Sequence, residues 1–216
     1  MNKFNSTNHS IERVSDRNGS SVIFPVLPKS IAQFKYLRCL DISGTKQTNL
    51  PKEICELHCL EELYLRNCSL EALPEDFGKL IKLKSLDISN DFLEFSPSFQ
   101  RLKSLVNLKM AWNEQLVLFP VLPESFIALN ARGCSKLQAI SLESDMKFLK
   151  TMDLSHCENL TALSTLIRCK SLRDIKLHEC KQLDKLDPLP ECLSSVRIYK
   201  WSKLQNILIN IKFDER

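Results

Sequence analysis

LRCLDISGT (37–45), LEELYLRNC (60–68) and LKSLDISND (83–91) share one pattern, with an apolar residue at the first position, again three residues on and again five residues on. With that first residue taken as offset 0, the spacing returns as LVNLKMAWN from Leu105, FIALNARGC from Phe126, LKTMDLSHC from Leu149, LRDIKLHEC from Leu172 and LSSVRIYKW from Leu193. The eight starts lie 23, 23, 22, 21, 23, 23 and 21 residues apart, which marks a repeat rather than a series of unrelated elements. Apolar residues at offsets 3 and 5 alternate with period 2, the signature of a short strand with one face buried. About thirteen residues remain to bring the chain back, too few for a full crossover helix. The return is therefore a loop, a 3₁₀ turn or a brief helix, and the strands stack in parallel to form a solenoid.

Composition agrees with many equivalent buried positions. Of 216 residues 36 are leucine and only 4 are glycine, and 44% are hydrophobic, enough to bury a core and exclude disorder over most of the chain. A net charge of +4 with both signs interspersed does not describe a nucleic-acid binder. No stretch reads as a signal-peptide core or a membrane span, so the chain is expected to be cytoplasmic, with no membrane partner. Its nine cysteines include no CxxC pair. In that compartment they are expected to be reduced thiols used as small hydrophobes. Offset 8, just past each strand, holds Thr45, Cys68, Asp91, Asn113, Cys134, Cys157, Cys180 and Trp201. A small polar group there is expected to point inward and bond the backbone of the neighbouring turn.

The two ends are less regular. VIFPVLPKSI (22–31) nearly duplicates VLFPVLPESF (117–126), so a further strand is expected between Ile11 and Asn18, although Asp16 stands where an apolar residue belongs and no amphipathic cap precedes it. Residues 1–20 are expected to be a flexible segment and 21–204 the solenoid. In the tail, 205–216, Ile207, Ile209, Ile211 and Phe213 alternate and could cap the core.

Sites for chemistry are scarce. The scattered glycines Gly19, Gly44, Gly78 and Gly133 form no phosphate-binding loop, and neither HExxH nor GxSxG occurs. His156 and His178, with Glu158 and Glu179, lie on neighbouring repeats where a zinc ion is conceivable, but the adjacent cysteines should point inward. No enzyme activity, metal or other cofactor is expected.

NLPKEICELHCLEEL (49–63) and ALPEDFGKLIKLKSL (72–86) give the repeats an LPxxIxxLxxLxxL form, and GCSKLQAI, HCENLTAL and ECKQLDKL place a cysteine at offset 8 followed by xxL. In these features the chain resembles the leucine-rich repeat superfamily, most closely the repeat region of plant nucleotide-binding immune receptors, and also the related intracellular Ras-binding repeats. The compact L-P-x-x-L repeats FPVLPESFIAL and LDPLPECLSSV are also similar to those of bacterial effectors. The resemblance implies an α/β solenoid, a curved horseshoe with a parallel sheet of about eight strands on its concave face. It implies a non-enzymatic, monomeric recognition module of disease-resistance type that binds a protein partner on that face. The alternatives are a substrate-recognition or regulatory subunit of a ubiquitin ligase or phosphatase system, or a bacterial effector.

On the concave face, outward residues are expected at offsets 2, 4, 6 and 7. Because binding hot spots favour Trp, Tyr and Arg, the candidate partner-binding residues are Tyr64, Arg66, Trp112, Arg132, Arg197 and Tyr199, together with Lys176 from the basic C-terminal end. Trp112, among Asn107, Lys109 and Ala111, has no evident reason in the core to occupy an outward strand position. Tyr64 and Arg66, two repeats earlier, are expected within about 10 Å of it.

Overall fold

The computed structural model describes residues 13–15, 21–22, 26–91, 95, 97–142, 145–186 and 188–199. Strands are numbered in chain order. β1 (Arg13–Ser15) and β2 (Ser21–Val22) precede the repeats. β3 (Cys39–Asp41), β4 (Glu62–Tyr64), β5 (Ser85–Asp87), β6 (Asn107–Lys109), β7 (Ala128–Asn130), β9 (Thr151–Asp153), β11 (Asp174–Lys176) and β13 (Ser195–Arg197) each occupy offsets 2 to 4 of one repeat. These eight pair in parallel and in register, so that Leu40, Leu63, Leu86, Leu108, Leu129, Met152, Ile175 and Val196 form one row. Every member of that row is buried. Each such aliphatic side chain contributes roughly 1.5–3 kcal/mol by leaving water. The result is the curved parallel sheet expected from the repeat.

The proline of the LPxxI returns shapes the chain behind the sheet. Pro28, Pro51 and Pro74 precede 3₁₀ helices at Lys29–Gln33, Lys52–Glu56 and Glu75–Lys79. In each, the proline carbonyl accepts the N–H of the apolar residue three positions on, Ile31, Ile54 or Phe77. Proline supplies a fixed φ and needs no partner for a missing N–H, while the apolar residue turns inward and is fully buried. The helical content of the described residues is of this 3₁₀ type throughout.

Two features go beyond the expected return. β8 (Ala139–Ser141), β10 (Ala162–Ser164) and β12 (Lys185–Leu186) form a second parallel sheet from the returns of three successive repeats, with Ile140 and Leu163 buried. At the N-terminal edge, a strand does lie between Ile11 and Asn18, but it runs the other way. β1 is antiparallel to both β3 and β2, so an antiparallel hairpin covers the edge for which no cap was expected. Five residues connect β1 to β2, a length that permits only an antiparallel pair. The tail expected to cap the other end, 205–216, lies outside the described residues.

The cysteines of the offset-8 column bond as expected, while Trp201, at the same offset, lies outside the described residues. The thiols of Cys68, Cys134, Cys157 and Cys180 donate to the carbonyls of Ile42, Met110, Ala131 and Leu154, at 3.1, 3.3, 3.2 and 3.2 Å. Each acceptor is the offset-5 residue of the preceding repeat, so the thiol ties one turn to the last. All four side chains are fully buried. Loss of solvation pushes Cys134 and Cys180 up to about 12 and raises Cys68 and Cys157 as well. The thiolate is the reactive form, so native protein is expected to leave these four cysteines unmodified by a thiol reagent while half-buried Cys59 reacts. Denaturation should make all nine available. Peptide mapping that found Cys157 labelled as fast as Cys59 would contradict this.

Candidate functional site

The outward face of the sheet is built from offsets 2 and 4. At offset 4, an acid or amide often bends back on its own strand end. Asp41, Asp87, Asn130 and Asp153 accept the backbone N–H of Ser43, Ser89, Arg132 and Ser155 at 3.0–3.1 Å. These four residues therefore shape the turn after the strand, and Asp87 is buried in doing so. Between them lies an open depression of about 400 Å³ over β5, β6, β7, β9 and β11. Its lining includes the small side chains of Ser85, Ala128 and Thr151 and the charged ends of the strands at Lys109 and Lys176.

Offset 7 is not an outward strand position. Gly44, Asn67, Asn90, Trp112, Gly133, His156 and Glu179 all have positive φ, between 57° and 81°. The assigned strands end at offset 4, and the chain then turns through a left-handed residue in each of these repeats. The backbone ladder nonetheless continues, since the N–H of Trp112, His156 and Glu179 donates to the carbonyl of Arg132, His178 and Tyr199 in the next repeat. Trp112, Arg66, Arg132 and Tyr199 thus belong to the rim at the C-terminal ends of the strands, whereas Tyr64, Lys176 and Arg197 stand on the strands themselves. Trp112 is on the rim rather than on the strand face that carries Tyr64.

The strand candidates are engaged locally. The Tyr64 hydroxyl donates to Glu62 Oε2 at 2.8 Å, and this bond, reinforced by partial burial, pushes its ionisation up to about 12. Lys176 Nζ lies 3.5 Å from Asp153 Oδ2, and Arg197 Nε lies 3.6 Å from Asp174 Oδ1. Arg66 is exposed and forms no ion pair among the described residues. Tyr199 is also exposed.

Two of the rim candidates, Trp112 and Arg132, converge with His156. The Trp112 indole lies across Gly133, where a Cβ would overlap ring atoms Cδ2, Cε3 and Cζ3. The Arg132 guanidinium sits over the indole at 5.9 Å, and the His156 ring is centred 5.9 Å away on a plane tilted by 35°. Arg132 Nη2 is 2.9 Å from His156 Nε2. Because a guanidinium only donates, Nε2 accepts, and the imidazole proton sits on Nδ1, 3.8 Å from Glu179 Oε2. Adjacent His178 is held below the usual imidazole range, chiefly by loss of solvation and further by Arg132, His156 and Lys176, against the pull of Asp153. Trp112 and Arg132 stand out in the sequence as hot-spot residues, whereas His156 and Glu179 appear there only as outward offset-7 positions and conceivable metal ligands. The glycines and asparagines at four of the seven described offset-7 positions were the available sign of a left-handed column.

A family model described as a leucine-rich repeat region matches residues 13–204. A probable disease resistance protein of Arabidopsis thaliana is 39% identical over 80 residues, which cover 37% of this chain and 5% of that protein. TMV resistance protein N of Nicotiana glutinosa is 34% identical over 117 residues, covering 51% of this chain and 10% of that protein. The matches thus cover a small fraction of these plant relatives. Among solved structures, the leucine-rich repeat domain of the type III effector XopL superposes with a TM-score of 0.55 at 24% identity, covering 78% of this chain and 66% of that one, a likeness of fold.

Proposed function

The chain belongs to the leucine-rich repeat family, and on that premise we propose that it is a non-enzymatic recognition module that binds a protein partner across its concave face and rim, in an intracellular immune setting. One observation carries the reading. Eight in-register strands present an open, polar depression beside a rim on which an exposed tryptophan, an arginine and a histidine are already packed together. Hot spots of protein interfaces favour such aromatic and arginine anchors held in place before binding. The sequence likeness to disease resistance proteins supports the immune setting. The cytoplasmic location and monomeric state are parts of the same proposal.

Affinity capture from plant extract tests it, with the purified chain as bait and quantitative mass spectrometry as readout. Tyr64→Ala and Trp112→Ala are each expected to reduce the captured partner at least about tenfold, the scale of a loss near 2 kcal/mol. Lys79→Ala and Lys147→Ala, on the returns, should leave capture intact. Circular dichroism should be unchanged in all four. Capture that depends on the return lysines and ignores both aromatics would place the binding surface elsewhere.

A further inference from the structure

Trp112 occupies a left-handed backbone position that bulky residues seldom adopt, and the residue is still 43% exposed. Strain of this kind persists where the surroundings enforce it. Here they do: Gly133 leaves room for the indole, and Arg132 and His156 flank it. One part of the ring is thus fixed against the protein, and another part faces solvent. The ring is a rigid aromatic surface that needs little ordering when something stacks on it.

In the repeats that follow, Lys176, Lys181 and Arg197 each have a carboxylate within 4.0 Å, in Asp153, Glu158 and Asp174, whereas Lys109, on the strand before Arg132, forms no ion pair among the described residues. Arg132 has none among the described residues. Its side-chain contacts are the indole and Nε2 of His156, neither of which cancels its charge. The carboxylate of Glu179 lies on the far side of the imidazole, at Nδ1. His156 therefore orients the guanidinium without neutralising it. A planar guanidinium held this way, with donors to spare, matches a carboxylate.

We propose that Trp112 and Arg132 form a docking site for an acidic segment of a protein partner that carries an aromatic side chain, the ring stacking on the indole and the adjacent carboxylate pairing with the guanidinium. This rests on the concave-face reading above and names the chemistry of the partner at the rim. His156 is a positioning residue, whose acceptor nitrogen fixes the guanidinium.

The test uses the purified chain and four synthetic pentapeptides, titrated while the indole N–H of Trp112 and the Nε–H of Arg132 are followed by NMR. Glu-Glu-Tyr-Glu-Glu is expected to bind at least about tenfold more tightly than Gln-Gln-Tyr-Gln-Gln, Glu-Glu-Ala-Glu-Glu or Lys-Lys-Tyr-Lys-Lys, and to shift both signals. Trp112→Ala should remove the preference for tyrosine, and Arg132→Gln the preference for acid. Arg132→Lys keeps the charge without the fork and should recover only part of the affinity. His156→Gln retains an acceptor and should bind nearly as well as the native chain, while His156→Leu should weaken binding without altering the melting temperature by a matching amount. Equal affinity for the four peptides, no binding at millimolar concentration, or displacement of the acidic peptide by an oligothymidylate would each overturn the proposal. If the extract partner still depends on Tyr64 and Trp112 while the peptides show no preference, the partner chemistry fails and the concave-face reading survives. If capture ignores both aromatics, the reading itself has failed.

Discussion

Asp91→Asn is expected to stabilise the protein by about 1–2 kcal/mol at pH 7, the relieved burial penalty less the cost of an unpaired amide N–H, and to remove a decline in stability between about pH 4 and pH 6. Asp91 stands in the offset-8 column, where the described neighbours are neutral, and its side chain is buried. Oδ1 accepts the Leu70 N–H at 2.9 Å, but Oδ2 finds no hydrogen-bond partner among the described residues. Loss of solvation outweighs the backbone N–H groups and raises its ionisation from 3.8 to about 6. Below about pH 4 the group is protonated both folded and unfolded, and no penalty exists. As pH rises, the unfolded chain ionises first, so stability falls until the folded group has ionised too, above about pH 6. Asparagine keeps the acceptor and discards the charge, as Asn113 does one repeat on, accepting the Asp91 N–H at 2.8 Å. Denaturant midpoints of both proteins at pH 4, 5, 6 and 7 measure this. Parallel pH profiles, with no gain for asparagine at pH 7, would show that the carboxylate carries no burial penalty.

Gly133→Val is the second large effect, with an expected loss of about 2–5 kcal/mol. A β-branched residue at a φ of 74° is strained whatever the space, and its side chain would occupy the volume of the indole. Gly44→Val separates the two causes, because Gly44 shares the backbone conformation at an exposed position and should lose only about 1–2 kcal/mol. In a Trp112→Ala background Gly133→Val should cost less than in the native chain, since the ring it displaces is gone. With Trp201→Phe leaving Trp112 as the sole tryptophan, its emission should shift to longer wavelength when valine expels it. An unchanged spectrum together with additive stabilities would mean that the ring does not rest on Gly133.

The repeat was legible because its signal is redundant. Leucine at offsets 0, 3 and 5 fixes strand, face and register at once, and Leu40, Leu63, Leu86 and Leu108 pair in the order that the spacing dictates. The thiol column was legible for the same reason, as four cysteines recur at one offset. Departures arose where two or three residues decide the outcome. β12 is only two residues long and carries no periodicity of its own, so the second sheet left no trace in the sequence. β1 has an apolar centre at Val14 that serves either strand direction, and the shortness of its connection to β2 chose antiparallel. At the rim, the strand was extended three residues too far. This placed Trp112 on a strand when Gly44, Gly133, Asn67 and Asn90 already pointed to a left-handed turn at that offset. The Asp-x-Ser pattern at 41–43, 87–89 and 153–155 was similarly visible as a local turn bond.

The in-register sheet also sets a scale on which anything lying across it must be measured. Neighbouring strands offer equivalent side chains about every 4.8 Å, whereas an extended chain crossing them presents same-side residues about every 6.7 Å. The two periods disagree at the first step and come back into approximate step only after about three strands, like the marks of a vernier. A partner segment therefore cannot be read residue by residue along a column. It must be gripped at a few separated points with slack between them, and the choice of those points, more than the number of contacts, decides which segment fits.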